Sequence, residues 1–200
     1  MTRETRTIQR GPKIETRADG KRVLSGYAAV FYRASDPGTQ YRLWDHCMER
    51  ISPTAFNRAI EEKQDVIADF NHDEGRMLGR TGSGTLRLSV DETGLKYEVD
   101  LPQMTDPPNL AELIERGDIT GSSFAFQATG VNWETDGDIE IRTVTDVNLF
   151  DVGPVGRPAY AATSIGIRGD DKDLVAKEFE AHKRNAQAIE IRLRMLELDT

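Results

Sequence analysis

Apolar residues alternate with polar ones in short runs over most of the chain, and fall at sustained helical spacing only near its end. Residues 23–31 are apolar enough for a strand buried on both faces, and the Pro-Gly content of residues 33–40 marks the loop after it. Ser52 and Pro53 supply a cap and a first-turn proline for a short helix that places Phe56, Ala59 and Ile60 on one face and ends near Lys63. Residues 66–70 read as a strand carrying Asn71, His72 and Asp73 to its end, with a turn at Glu74-Gly75. Residues 85–90 and 95–101 alternate on either side of a turn at 91–94, which predicts an antiparallel hairpin. A second helix is signalled by Asp106-Pro107, by Leu110, Leu113 and Ile114 at helical spacing, and by Gly117 as its stop. Further strands are predicted at 123–129, 139–144, 147–152 and 164–167.

Many short strands with two inserted helices predict a mainly β, α+β fold: a closed or nearly closed antiparallel β-barrel ringed by a few helices. From about Asp170 the pattern becomes a charged helix, with Val175, Phe179, His182, Ala186, Ile189, Leu193 and Leu196 at alternating spacings of four and three. Such a seam suits either packing on the chain's own barrel or association with a partner or a second copy. The chain thus divides into an N-terminal arm (1–22), a β domain (23–168) and a C-terminal helix (169–200).

With 38% hydrophobic residues, 200 residues can bury one sizeable core. No apolar run approaches the roughly 20 residues that span a bilayer, and the N-terminus lacks the apolar middle of a signal peptide, so a soluble, intracellular protein without membrane contact is expected. The net charge of -8 disfavours nucleic acid as a partner. A single cysteine, Cys47, offers neither an internal disulfide nor a thiolate zinc site. The first 22 residues run against the overall charge, with Arg3, Arg6, Arg10, Lys13, Arg17, Lys21 and Arg22 against Glu4, Glu15 and Asp19. They read as a solvated basic arm, able to guide docking to an acidic partner.

The candidate chemistry begins at Gly121-Ser-Ser-Phe-Ala-Phe126, a glycine-led turn running into a strand. Alternation puts Phe124 and Phe126 on one face and Ser123 with Ala125 on the other, where small residues leave room for a substrate carbonyl. A serine hydroxyl needs a neutral imidazole to take its proton. His72, at a strand end, is the first choice of three; His46 is the second, and His182 lies outside the barrel pattern. Asp151 interrupts an apolar run, where a carboxylate is costly unless paired, and an imidazole is a suitable partner. Asp69, Asp73 and Asp146 compete for that role, and spacing does not choose among them. The chain has no Gly-x-Ser-x-Gly elbow, His-Glu-x-x-His or Walker loop. Asp69, His72 and Asp73 are too few and too clustered to suggest a metal site, and no metal or cofactor is expected.

Taken in order, Gly26-Tyr-Ala-Ala-Val-Phe31, Ile51-Ser-Pro-Thr-Ala-Phe56, Asn71-His-Asp73 with Leu78-Gly-Arg80, Gly94-Leu95, residues 114–126 and residues 151–160 resemble the tailed-bacteriophage prohead proteases, serine endopeptidases that mature procapsids. The resemblance spans roughly residues 23–167. It implies Ser123 as nucleophile, His72 as its base and Asp151 as the third member. There the family usually has glutamate, and Gly153 stands where it usually has serine; Thr54 and Ala125 replace common glycines. It implies a fold like that of herpesvirus assemblin. An oxyanion would be held by backbone N–H groups near Ser123 and Phe124, with Arg80 either a further donor or a surface strand residue. The implied partners are the scaffold segment of the major capsid protein, other procapsid proteins and the protease itself, inside a procapsid assembling in the cytoplasm of a bacterial host. The C-terminal helix would serve assembly or self-association. The rival reading is a non-catalytic capsid-assembly or scaffold-binding module, which does not need Ser123 and His72 to meet.

Overall fold

A computed structural model describes residues 3–102, 110–156 and 169–198. Its strands are β1 (Glu4–Ile8), β2 (Lys13–Thr16), β3 (Arg22–Val30), β4 (Tyr41–Trp44), β5 (Cys47–Ile51), β6 (Ile67–Phe70), β7 (Asp73–Arg80), β8 (Leu86–Val90), β9 (Gly94–Asp100), β10 (Gly121–Asp136) and β11 (Ile139–Val155). The helices are α1 (Asn57–Glu61), α2 (Leu110–Glu115) and α3 (Gly169–Leu198). The fold is mixed α+β.

The strands form two sheets. β2-β3-β9-β8 is a four-stranded antiparallel sheet that contains the predicted hairpin, with Leu86 opposite Val99 and Val90 opposite Leu95. The larger sheet has seven strands in the order β1-β10-β11-β5-β4, with β6 also on β11 and β7 on β6. Its hub is β11, one continuous strand where the sequence pattern suggested two. β10 runs antiparallel along one edge of β11. The other edge takes β5 in parallel over Glu140–Val144 and β6 in parallel at Asp151 and Val152.

One expectation is therefore corrected: the large sheet is mixed rather than antiparallel. No closed barrel is found among the described residues, and the barrel expectation is unconfirmed. Alternation marks a strand and its buried face, but not which edges meet.

The main core lies where Leu24, Val30 and Phe31 of the small sheet's side meet Phe56, Phe124, Phe126 and Val152. Phe124 stacks on Phe126 at 4.8 Å between ring centroids and meets the edge of Phe56 at 5.6 Å. The first helix starts at Asn57 with Phe56 at its cap position and no side-chain cap bond, so Ser52 does not cap it. Gly117, at φ +81°, follows α2 as predicted for a stop. The start signal at Asp106-Pro107 and the strand predicted at 164–167 lie outside the described residues.

Residues 4–8 are not solvated: β1 pairs with β10, and Arg6 is wholly buried. β2 pairs with β3, but most of residues 9–22 are exposed. Glu4-Thr-Arg-Thr-Ile8 carries no apolar stripe, so its strand is invisible to a hydrophobic pattern. α3 is anchored at its start, where Val175 and Phe179 pack against Leu43, Cys47, Trp44 and Trp133. Farther along the seam His182, Ala186 and Ile189 are exposed; the side chains of Leu193 and Leu196 lie outside the described residues.

Candidate active site

His72 stands on a tight hairpin turn. Phe70 pairs with Asp73, so Asn71 and His72 are the two central residues, and both have positive φ, 63° and 58°. Two-residue hairpins favour positive φ at both positions because that twist matches the flanking strands. Asn tolerates it; a histidine there is uncommon, and the conformation persists only where the surroundings hold it. The Asn71 N–H donates to the Pro154 carbonyl at 3.1 Å, and the Asn71 Oδ1 accepts from the Gly156 N–H at 2.9 Å. The turn is thereby tied to the end of β11. It lies at Asn71-His72 rather than at Glu74-Gly75, which belongs to β7.

Ser123 sits in β10 between Thr7 of β1 and Gly153 of β11. Its neighbour Ser122 faces the other way and bonds the Tyr97 hydroxyl at 2.9 Å. Asp151 lies opposite Ala125 on β10 and Ile67 on β6. The hairpin turn then brings the imidazole between the two. His72 Nε2 is 2.7 Å from Ser123 Oγ, and His72 Nδ1 is 2.7 Å from Asp151 Oδ1. Ser123 is fully buried, Asp151 is 2% exposed and the His72 side chain 8%. A base, its orienting carboxylate and a hydroxyl thus form a continuous hydrogen-bonded chain away from bulk water, the arrangement that lets a serine lose its proton as it attacks.

The competing acids are held elsewhere. Asp73 accepts from the Gly75 N–H at 2.9 Å, and Asp146 is bound by Arg58 at 2.9 Å. Asp69 is buried beside the turn but meets the backbone N–H of His72 rather than its ring. Burial pushes the Asp69 carboxyl up to about 6, against the pull of that N–H and of Arg3. Asp69 is a support of the histidine turn that sequence patterns could only offer as a rival to Asp151. Ligand-type atoms of Asp69, His72 and Asp151 lie within 4.8 Å of one another. Both ring nitrogens of His72 are engaged in hydrogen bonds, Nδ1 with Asp151 and Nε2 with Ser123.

Gly153 has a steric reason. A Cβ there would overlap the carbonyl oxygen of Asp69, so with β6 this close to β11 no serine fits. Of the oxyanion candidates, Phe124 follows Ser123 in β10 with its ring in the core. Arg80 is half exposed, and its guanidinium is clasped by both carboxylate oxygens of Asp65, with Nε at 2.7 Å from Oδ1. His46 occupies the β4–β5 turn at φ +62°, and His182 lies on α3 beside Trp133.

Three residues that the sequence reading left in the arm reach this site. The Thr7 hydroxyl donates to Ser123 Oγ at 3.1 Å, the Ser123 hydroxyl lies 2.8 Å from the Arg6 carbonyl oxygen, and the Arg3 guanidinium contacts Asp151 Oδ2. A cavity of about 320 Å³ lined by Arg3, Asp65, Ile67, Glu74 and Phe150 opens alongside.

Among known proteins, the family model described as caudovirus prohead serine protease matches residues 12–183. No curated protein and no solved structure matches the chain.

Proposed function

The chain belongs to the caudovirus prohead serine protease family, and from that premise we propose that Ser123 is the nucleophile of a serine endopeptidase that cuts scaffold segments of the capsid protein, and itself, inside the maturing procapsid in the host cytoplasm. The observation that carries this reading is the unbroken chain from Asp151 through His72 to Ser123 at 2.7 Å for each bond.

In the proposed reaction, Ser123 Oγ attacks the scissile carbonyl carbon while His72 Nε2 takes its proton. Asp151 accepts from His72 Nδ1–H, which fixes the tautomer and stabilises the imidazolium as it forms. The tetrahedral intermediate collapses, His72 passes the proton to the leaving amine, and water activated by the same imidazole releases the acyl group. The negative oxygen is assigned to backbone N–H groups around Ser123 and Phe124. Arg80, held by Asp65, is given no part. A kinship of fold with herpesvirus assemblin belongs to the same proposal.

The outer half of α3 is proposed as the assembly contact, because Ile189, Ile191 and Met195 are each more than 60% exposed. Removing α3 from Asp171 onward would also remove the anchor at Val175 and Phe179, so the truncation that isolates assembly is after Lys183.

The test is to express the wild type and Ser123→Ala with the cognate major capsid protein and to follow both chains by intact mass. Cleavage of either chain by the wild type alone is expected. A folded wild type that cuts neither chain would move the weight to a non-catalytic scaffold-binding module or to a latent zymogen, and cleavage gained after removal of residues 1–10 separates the two.

A further inference from the structure

A nucleophile must touch its substrate, yet Ser123 is fully buried. The cover is β1. It adds an edge strand to β10, with Arg6 opposite Phe124 and Thr7 opposite Ser123. Extended peptides commonly dock by adding a strand to a sheet edge, with affinity from the main chain and specificity from pockets for alternate side chains. β1 has this geometry, and it places a carbonyl group, that of Arg6, within 2.8 Å of Ser123 Oγ.

The side chain of that same residue is held in a built pocket. Arg6 Nε donates to Glu49 Oε1 at 2.5 Å and Nη2 donates to Glu49 Oε2 at 2.8 Å. Nη1 lies 3.6 Å from Asp171, and the guanidinium sits 5.4 Å from the centre of the Phe126 ring. Two residues earlier on the same face, Glu4 bonds Arg6 at 2.8 Å and Arg142 at 2.9 Å. Glu4 and Arg6 are both supplied by β1. Without the strand the pocket keeps Glu49, Asp171 and Glu178 against Arg142, three carboxylates to one guanidinium. Such a pocket favours a cation on the incoming chain.

A hydroxyl has one hydrogen, and both the Arg6 carbonyl and His72 Nε2 lie within bonding distance of Ser123 Oγ. While β1 is seated, the carbonyl competes for the proton that His72 must receive. β1 also lies ahead of residues 12–183, the part that the family model matches.

We propose that β1 occupies the substrate channel of this enzyme in the manner of a substrate, and that the channel selects an extended segment with arginine at the residue whose carbonyl meets Ser123 and an acidic residue two positions before it. This rests on the reading of Ser123 as nucleophile. Ser123 Oγ then bonds to the arginine carbonyl carbon as its proton passes to His72, and the C–N bond to the next residue breaks with the proton delivered to the new amine. Water afterwards frees the arginine carboxylate. β1 must leave before another strand is cut.

The test keeps the folded chain. An endoprotease recognition sequence inserted between Arg10 and Gly11 allows the folded protein to be nicked, so that residues 1–10 become a separable peptide. Labelling of Ser123 by a fluorophosphonate probe is measured before nicking and after the peptide is washed away. Hydrolysis is then compared for two fluorogenic peptides, one carrying Glu-x-Arg and one with alanine for the arginine. Labelling is expected to quicken at least about tenfold on release, as the competent form becomes the populated one. The arginine peptide should turn over about a hundredfold faster than the alanine peptide, because the latter leaves buried carboxylates unpaired. Re-added peptide 1–10 should restore protection, and its Arg6→Ala form should not.

Equal labelling before and after release, equal turnover of the two peptides, or a β1 that neither washing nor excess peptide displaces would each overturn the proposal. If the nicked protein rebinds peptide 1–10 in an arginine-dependent way yet never labels or cleaves, the docking edge stands and the assignment of Ser123 falls.

Discussion

Two buried polar clusters lie on opposite faces of β1, and they are built on different plans. On the Thr7 face, Asp151, His72 and Ser123 form a line with one bond at each junction. On the Arg6 face, Arg6, Arg142, Glu4 and Glu49 form a closed net in which both guanidinium groups reach both carboxylates. Burial pushes the Glu49 carboxyl up, but Arg6 and Arg142 outweigh it and hold it below its ordinary value. A line can move a proton from its hydroxyl end to the imidazole at its centre, whereas a net of fixed charges cannot change without leaving a buried group unpaired. The first plan suits chemistry and the second suits position. β1 shares both, so whatever seats the net also covers the line.

This contrast is most directly broken at Ser123. Ser123→Ala and His72→Ala are each expected to lower peptide turnover about ten-thousandfold or more with the melting temperature little changed, read by steady-state kinetics beside thermal unfolding. Asp151→Asn should cost about a thousand- to ten-thousandfold, since an amide favours the wrong imidazole tautomer. If it left turnover unchanged, the line would have only two members.

The net should answer in stability instead. Glu49→Gln leaves Arg6 and Arg142 short of a carboxylate and is expected to cost about 3–5 kcal/mol by urea denaturation. A loss below about 1 kcal/mol would mean that the net is no more than a surface-like pairing.

Asp69 sharpens the comparison through pH. Its folded pKa of about 6 lies above its ordinary 3.8, so the folded state favours the neutral acid. That stabilisation is complete below the ordinary value and is lost as pH rises through about 6, up to about 3 kcal/mol in all. Asp69→Asn should flatten the fall in unfolding free energy between about pH 4 and 6. An unaltered profile would place the titration elsewhere. The smallest effect is expected at Arg80, whose exposed pairing with Asp65 is worth about 0.2–1 kcal/mol. Arg80→Ala should leave turnover within about threefold, and a larger fall would return the guanidinium to the oxyanion.

Much of the strand plan was legible because its residues obey a period. The β8–β9 hairpin alternates cleanly, and Gly121-Ser-Ser-Phe-Ala-Phe126 shows which of two serines leaves the aromatic face. β1 was not legible, since Glu4 and Arg6 are stabilised by each other and by Glu49 and Arg142 rather than by apolar contact. The turn at Asn71-His72 was misplaced by three residues, because Glu74-Gly75 carries the stronger local turn chemistry and the register that overrides it comes from β6 and β11. Among Asp69, Asp73, Asp146 and Asp151, which spacing alone cannot rank, the parallel pairing of β6 with β11 brings His72 to Asp151.

By itself, then, the sequence determined the local matters: which segments extend or coil, which face of each is apolar, and which serine, histidine and acids were available for chemistry. These depend on neighbours a few residues apart. Only the tertiary structure decided that β11 is a hub with two parallel partners, that 51 residues of separation close to 2.7 Å between His72 and Ser123, and that the first strand folds over Ser123. Edge pairing and buried charge are satisfied by groups distant in the chain, and no local pattern encodes a partner that the chain meets only once folded.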